Sequence, residues 1–485
     1  MKISFNLVDH PWVPVRLQTG QAELMSLHQL FEESDRVAVI NAQPHERISL
    51  LRLLICVTQA TLGAQESLEA QQKLSKDFEK AIANYLDKVR NHFELFGSGE
   101  RFLQVFVKDK EPVNASKLNP HLATGNNPTL FDHAGQDAAR AFEPHTLALA
   151  LLTFQNFYPL YGAGYRGKGP CVDQNMAHTF VVGKSLKETI LNNCLTAELI
   201  DELYRENGLG RPLWELEPRQ KDFSELATNS YLGRLVPRHR NLWLLEDGSG
   251  FRLSTEGLEY PRFEETREPH ATVVVVGPKK DTRRLLPSRL ERAVWRDLHC
   301  ITVYEKSASS ASAAPLNVAL QAENGSEHMH LWVGGLVTDF KAKVYDTVES
   351  SLTVPMAMFE PLGRATYAAG VDYAEEVSRR LYGAIKLYGS TMKHEQTPFQ
   401  AAQRHYWNAI ELSVADLLAL VQRPELRQGL EFEGIKDPWS QAVHQAAQQA
   451  FEMVCPRQTP RQLQAYAAGW RMIISRPNKA KKTTK

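Results

Sequence analysis

Cysteine is scarce in this chain, and no two cysteines are spaced as C-x-x-C. The five residues Cys56, Cys171, Cys194, Cys300 and Cys455 are scattered over the whole length. That excludes a disulfide framework and a zinc ribbon, and it fits reduced thiols in a cytoplasmic protein. No apolar run is long enough to cross a bilayer. The opening Met1-Lys-Ile-Ser-Phe-Asn lacks the apolar core of a signal peptide. Neither sign of charge is in excess, with 56 Lys+Arg against 56 Asp+Glu. The chain as a whole therefore does not announce a polyanionic partner, although a balanced total can hide segregated charge. G-x-S-x-G, H-E-x-x-H and G-x-x-x-x-G-K-[ST] are all missing. Asp9-His10 and Asp132-His133 are adjacent pairs without further ligands in register. With no nucleophile, metal cluster or carboxylate pair in view, a binding or assembly protein is expected, with no catalytic residue, metal or cofactor.

A length of 485 residues allows two or three domains, each with a full core. Residues 3–8 and 102–106 suggest short strands, and Trp12 to Arg16 with Glu23 to Ser26 suggest a hairpin. Helices are expected from Ser26, over 44–61, over 75–96, over 143–157 and over 185–194. Residues 210–300 look rich in strands, near 242–246 and 271–276. Residues 307–314, Ser-Ala-Ser-Ser-Ala-Ser-Ala-Ala, look like a linker. His328 and His330 share one face of an expected strand that ends in Gly334-Gly335, without a third ligand for a metal.

The densest signal is Tyr158-Pro-Leu-Tyr-Gly-Ala-Gly-Tyr-Arg-Gly-Lys-Gly-Pro170. Glycine permits close backbone approach, and Arg166 and Lys168 suit a phosphate backbone. Gly162 to Gly167 spells G-x-G-x-x-G, but a dinucleotide fingerprint needs a strand before it and a helix after it. Here a helical pattern precedes it and Gly169-Pro170 follows. A nucleotide-binding enzyme is the rival reading, and a solvated turn is the plain one. A second long polar segment, residues 112–135, carries Leu130 and Phe131, apolar residues that suit docking onto something. Charge also segregates. Lys279, Lys280, Arg283, Arg284, Arg289, Arg292 and Arg296 outnumber nearby carboxylates, and Arg234, Arg238 and Arg240 add a smaller group. Each is either a solvated face or a phosphate-binding surface.

The last third has the clearest architecture. Thr397-Pro398, Asp437-Pro438 and Thr459-Pro460 each place a capping side chain before a proline, the signature of a helix start. With a helix over about 367–388 they imply a four-helix bundle. Its expected apolar stripes include Phe399, Tyr406, Ile410, Leu417 and Val421, then Trp439, Val443, Ala446, Ala450 and Val454, then Leu463, Ala467, Trp470 and Ile474. The fold class is therefore α+β: a large mixed α/β domain over 1–360, then a four-helix bundle over 361–485 with a basic end.

Taken together, Phe5-Asn-Leu-Val-Asp-His-Pro-Trp-Val-Pro-Val-Arg16, Leu50-Leu-Arg-Leu-Leu-Ile-Cys56, the stretch 156–169 and Thr179-Phe-Val-Val-Gly-Lys-Ser-Leu-Lys187 resemble the large subunit of the type I-E CRISPR Cascade complex, the CasA family. The resemblance covers essentially the whole chain. It implies a non-catalytic subunit that recognises the short motif beside a protospacer (the PAM) in double-stranded DNA, helps open the duplex into an R-loop, and recruits a helicase-nuclease. It implies target DNA, guide RNA and the other Cascade subunits as partners. By position, it implies a minor-groove loop at Gly162, Ala163, Gly164, Arg166 and Lys168, with Ala163 interrupting the family's glycine run. It implies a duplex wedge at Asp339, Phe340 and Lys341, where the family's glutamine is absent. It implies a guide-handle and subunit-docking loop at Asn127, Leu130, Phe131 and Asp132. The basic residues Lys279, Lys280, Arg283, Arg284, Arg289 and Arg292 would add non-specific phosphate contacts. A pure assembly scaffold, never touching DNA, is the remaining alternative.

Overall fold

The structure is a computed structural model, and it describes residues 4–73, 78–119, 141–157, 169–205, 207–263, 267–276, 282–304, 312–324, 326–339, 343–393, 398–423 and 437–474. Two compact units divide the chain, Met1–Thr353 and Val354–Lys485.

The first unit is built around the helix Pro44–Leu62. Every residue from Ile48 to Gln59 is buried, so this helix is enclosed on all sides rather than amphipathic. Glu46 and Gln43 close a capping box over its first turn, with Pro44 at the first helical position. Around it pack the helices Pro144–Phe157, Phe78–Val89, Leu186–Asn192 and Tyr231–Leu235, and the strand His328–Thr338. Among the described residues the sheets are small and antiparallel. Val13–Leu17 lies between Ala22–Met25 and Val37–Ile40, Gly250–Leu253 lies between Val113–Asn114 and Leu242–Leu244, and His328–Thr338 lies between His178–Val181 and Val344–Pro355. A fourth ribbon pairs Val273–Val276 with Thr282–Leu285.

Several expectations need amendment. The described part of residues 3–8, from Ser4 on, holds no strand. Asn6 accepts from the Val8 amide through its own side chain, folding the chain into an Asx turn, and only a single bridge joins Asn6 to Glu94. Residues 102–106 also stay irregular, because Leu103 takes a left-handed φ of 53°. The helix expected over 75–96 runs over Phe78–Val89 and tightens into a 3₁₀ turn at Arg90–Phe93. Residues 210–300 hold helices as well as strands, including Phe223–Asn229 and Tyr231–Leu235. The end of the linker-like stretch belongs to the core. Ala313 exchanges both backbone hydrogen bonds with Val273, at 2.9 and 3.0 Å, and Ala313 and Ala314 are fully buried. Their small size is a packing requirement rather than a sign of flexibility.

The second unit is the expected bundle, with one rod broken. Its helices are Pro361–Met392, then Phe399–Glu411 and Val414–Val421, then Pro438–Val454, then Pro460–Ile474. The long first helix contacts all the others. Asp437 caps its helix by accepting from the Ser440 amide at 2.9 Å, and Thr459 accepts from Gln462 at 3.2 Å. The stripe of the last helix is corrected. Leu463 and Ile474 are exposed, and Ala465, Tyr466, Gly469 and Ile473 face the bundle instead.

Candidate nucleic-acid interface

The glycine-rich stretch leaves from one bolted stem and returns to another. Gln155, at the end of the helix Pro144–Phe157, donates to the carbonyls of Leu103 and Arg240 and accepts from the Arg240 amide at 3.0 Å. Phe157 sits between the rings of His45 and His178, 6.1 and 5.7 Å away. The chain comes back at Gly169, where a side chain would place its Cβ 2.2 Å from the Asn156 carbonyl oxygen. Only glycine allows that approach. Cys171 then lies against Asn156, its Sγ 3.5 Å from Oδ1. Residues 158–168, with Gly162, Ala163, Gly164, Arg166 and Lys168, lie outside the described residues. Their flanks lack the frame that the rival reading needs. A helix precedes the G-x-G-x-x-G and a 3₁₀ turn, Pro170–Asn175, follows it, so the strand-turn-helix frame of a dinucleotide site is absent.

That 3₁₀ turn is a junction. Gln174 and Asn175 both adopt left-handed backbone, φ 52° and 54°, a conformation that asparagine tolerates better than most residues. The Gln174 Oε1 accepts from the Leu285 amide at 3.1 Å. The Asn175 carbonyl accepts from Ser288 at 2.7 Å. The Asn175 side chain donates to the Thr338 carbonyl at 3.0 Å and accepts from the Thr338 hydroxyl at 2.8 Å. Gly335 secures the same junction, since a Cβ there would lie 1.9 Å from the Ser288 Oγ.

Thr338 ends the strand His328–Thr338, and Asp339 begins the turn to Val344–Pro355. The Asp339 amide donates to the Lys343 carbonyl, and the Lys343 amide donates to the Asp339 Oδ1, each at 3.0 Å. Phe340 and Lys341 lie outside the described residues. Lys343 hangs over the exposed ring of Tyr345, 5.2 Å from its centroid. On the other side of the junction, Arg283 and Arg284 are exposed on the strand Thr282–Leu285, and Arg283 lies 5.6 Å over the Phe263 ring. Arg289 is exposed as well. Thus the return stem of the glycine loop, the base of the hairpin turn and the arginine strand meet at one buried point.

Other candidates fare differently. Arg292 is held by Asp297 at 2.8 Å and is mostly covered, so its charge is already neutralised within the fold. Arg234 and Arg240 are buried and form no surface. Lys279 and Lys280 lie outside the described residues, as do Asn127, Leu130, Phe131 and Asp132 in 120–140. The stems of 120–140 are fixed, by the turn Ala115–Leu118 on one side and by Phe142 donating to Gly248 at 3.1 Å on the other. His328 and His330 point outward, His330 to the Thr353 hydroxyl at 3.0 Å. Among the described residues no group of His, Cys, Asp or Glu could hold a metal ion.

Sequence reasoning missed Gln174, Asn175 and Thr338, and also the charged core behind them. Arg52 and Arg234 both grip Glu268, at 2.9 and 2.5 Å, with all three residues buried. Burial alone would raise the Glu268 carboxyl, but the two guanidiniums outweigh it and hold it down at about 2. Burial, and then Arg52, push His178 down to about 3, and His270 falls well below its ordinary value for the same leading reasons. A cluster of perturbed groups can mark an active site. This one is sealed from solvent, and it joins elements far apart in the chain, Arg52 also donating to the Arg234 and Leu235 carbonyls.

These features define a class: a helix-centred α/β unit with loop stems fastened at one polar junction, together with a helical bundle. The chain belongs to the family of CRISPR-associated protein Cse1, whose profile matches residues 6–450. A curated relative, CRISPR-associated protein CasA/Cse1 of Thermus thermophilus, is 27% identical over 92% of each chain. Among solved structures, Thermus thermophilus CasA (Cse1) is similar with a TM-score of 0.75 at 23% identity, covering 97% of this chain and 98% of that one. Thermobifida fusca Cse1 gives 0.75 at 20% identity, covering 97% of each. A chain of a structure described as a CRISPR RNA-guided surveillance complex gives 0.73 at 17% identity, covering 97% of this chain and all of that one. No helix among the described residues is long and apolar enough to cross a membrane.

Proposed function

We propose that this protein is a non-catalytic subunit of a cytoplasmic CRISPR RNA-guided surveillance complex, and that it recognises the PAM in double-stranded target DNA, promotes duplex opening and helps recruit a helicase-nuclease. The observation that carries the reading is the junction at Gln174-Asn175, which ties the return of the glycine loop to the hairpin turn and to the exposed Arg283 and Arg284. A protein that reads a short motif and then parts the adjacent base pairs needs its probe and its wedge held at a fixed separation. In this reading the backbone at Gly162, Ala163 and Gly164 enters the minor groove, where readout is degenerate, and Arg166 and Lys168 hold phosphate. Phe340, flanked by Asp339 and Lys341, acts as the apolar wedge between base steps. Lys279, Lys280, Arg283, Arg284 and Arg289 add phosphate affinity, while sequence is left to guide pairing. Asn127, Leu130, Phe131 and Asp132 dock the guide handle and a neighbouring subunit.

The test is Gly164→Asp in the complex reconstituted with guide RNA and partner subunits. Target-duplex binding in a gel shift at physiological salt is expected to fall at least about a hundredfold, because a carboxylate enters a groove lined by phosphates. Wild-type affinity in a folded variant would refute the reading. Unchanged DNA binding together with full co-purification of the partner subunits would favour a pure scaffold.

A further inference from the structure

We infer that Asn175 is a positioning residue that couples motif recognition to strand separation, acting through Thr338; the inference rests on the function proposed above. The two side chains exchange a reciprocal pair of hydrogen bonds, Nδ2 to the Thr338 carbonyl at 3.0 Å and the Thr338 hydroxyl to Oδ1 at 2.8 Å. Both residues are 4% exposed, so water cannot replace either bond. The pair spans 163 positions of sequence and joins two pieces of chain with different tasks. One is the turn that receives the glycine loop six residues earlier, at Gly169. The other is the last residue of the strand before the hairpin turn at Asp339.

The surroundings make this contact a rigid strut rather than an incidental one. Asn175 holds its left-handed backbone while its carbonyl is fixed by the Ser288 amide, and the preceding Gln174, also left-handed, is fixed by the Leu285 amide. Left-handed backbone at two successive non-glycine residues is strained and persists only where neighbours over-determine it. On the strand side, the ladder of His328–Thr338 on His178–Val181 ends at Gly334, and just past Thr338 the Asp339 amide donates to the Lys343 carbonyl at 3.0 Å, closing the base of the turn. A displacement of the loop stem is therefore transmitted to the hairpin base without slack. Asparagine suits this place because it tolerates the backbone and offers one donor and one acceptor at once.

Two near-isosteric substitutions isolate the strut. Asn175→Asp keeps size and backbone tolerance but turns the donor into an oxygen facing the Thr338 carbonyl. Thr338→Val keeps the β-branched shape favoured in a strand and removes only the hydroxyl. Each variant, in the reconstituted complex, is given two target duplexes: one fully paired, and one with the base pairs beside the motif mismatched. A fluorescent base analogue beside the motif reports opening. On the paired duplex, opening is expected to slow about tenfold, as the loss of a buried hydrogen-bonding group implies. The mismatched duplex restores wild-type rates, and the double variant is no slower than the slower single one. Opening at the wild-type rate on the paired duplex would overturn the inference. So would an equal loss on both duplexes, which would mark a merely structural role. If the wild-type complex opened duplexes with and without the motif at one rate, the functional reading would fail and the inference with it. Wild-type discrimination with unaltered variants overturns the inference alone.

Discussion

The two units of this chain solve the problem of a core in different ways. The helical unit buries rings and small side chains along helical stripes, with polar contacts that merely tidy them: Tyr406 donates to the Ala374 carbonyl, and Trp439 donates to Gly370. The α/β unit puts charge in its centre. Arg52, Glu268 and Arg234 are buried together, and Gln155, Asn193 and Asn317 stitch strands and loop stems around them. Helices satisfy their own backbones, so a bundle needs little else. A unit that carries irregular stems and very short strands has many buried backbone groups to satisfy, and side chains do that work. The difference teaches that the α/β unit fastens its loop stems with buried polar side chains, whereas the bundle closes mainly by apolar packing.

The sharpest way to break the contrast is Glu268→Gln. It removes the carboxylate shared by two buried guanidiniums and leaves their charge uncompensated, at a cost of about 3–5 kcal/mol. Denaturation should show the loss, and hydrogen exchange should rise along Pro44–Leu62 while the bundle helices stay protected. A loss below about 1 kcal/mol would mean that the charged core does not hold this unit together.

Acid should separate the units next. His178 and His239 are fully buried, with burial first and a nearby arginine second pushing each down to about 3. A histidine whose folded value is depressed contributes stability that is complete above its unfolded value near 6.5. That stability is lost as pH falls from there toward 3. Each should cost about 1.4 kcal/mol per pH unit across that window. Glu268 acts lower, its contribution being complete above an unfolded value of about 4.3 and lost as pH falls through about 2. Hydrogen exchange between pH 7 and 5 should therefore accelerate in the α/β unit first. Equal acceleration in both units would contradict this account.

The same contrast explains what the sequence disclosed. Helix starts at Asp437-Pro438 and Thr459-Pro460 were legible because capping is local. The face of the last helix was misjudged because hydrophobicity favours large residues, whereas this crossing selects small ones. A Cβ at Gly469 would lie 2.8 Å from the Ala384 carbonyl and 2.6 Å from the Phe451 ring. At the candidate interface, glycine density and Arg-Lys clustering singled out stretches whose described flanks meet at one junction. The Asn175–Thr338 contact that joins two of them was invisible, since nothing local distinguishes either residue. Arg234 and Arg240 misled for a related reason: charge in a sequence does not say which side of the surface it lies on.

The smallest effect is expected where one of the bundle's buried polar contacts is cut. Tyr406 is fully buried, and its hydroxyl donates to the Ala374 carbonyl at 2.6 Å. Tyr406→Phe keeps the ring and its packing against Trp407. The Ala374 carbonyl remains an acceptor of the helix ladder of Pro361–Met392, so no buried group is orphaned. The loss should be about 1 kcal/mol, the net worth of one hydrogen bond. Chemical denaturation measures it. A loss as large as that of Glu268→Gln would show that the bundle leans on buried polar contacts as heavily as the α/β unit does, and the contrast between the two cores would collapse.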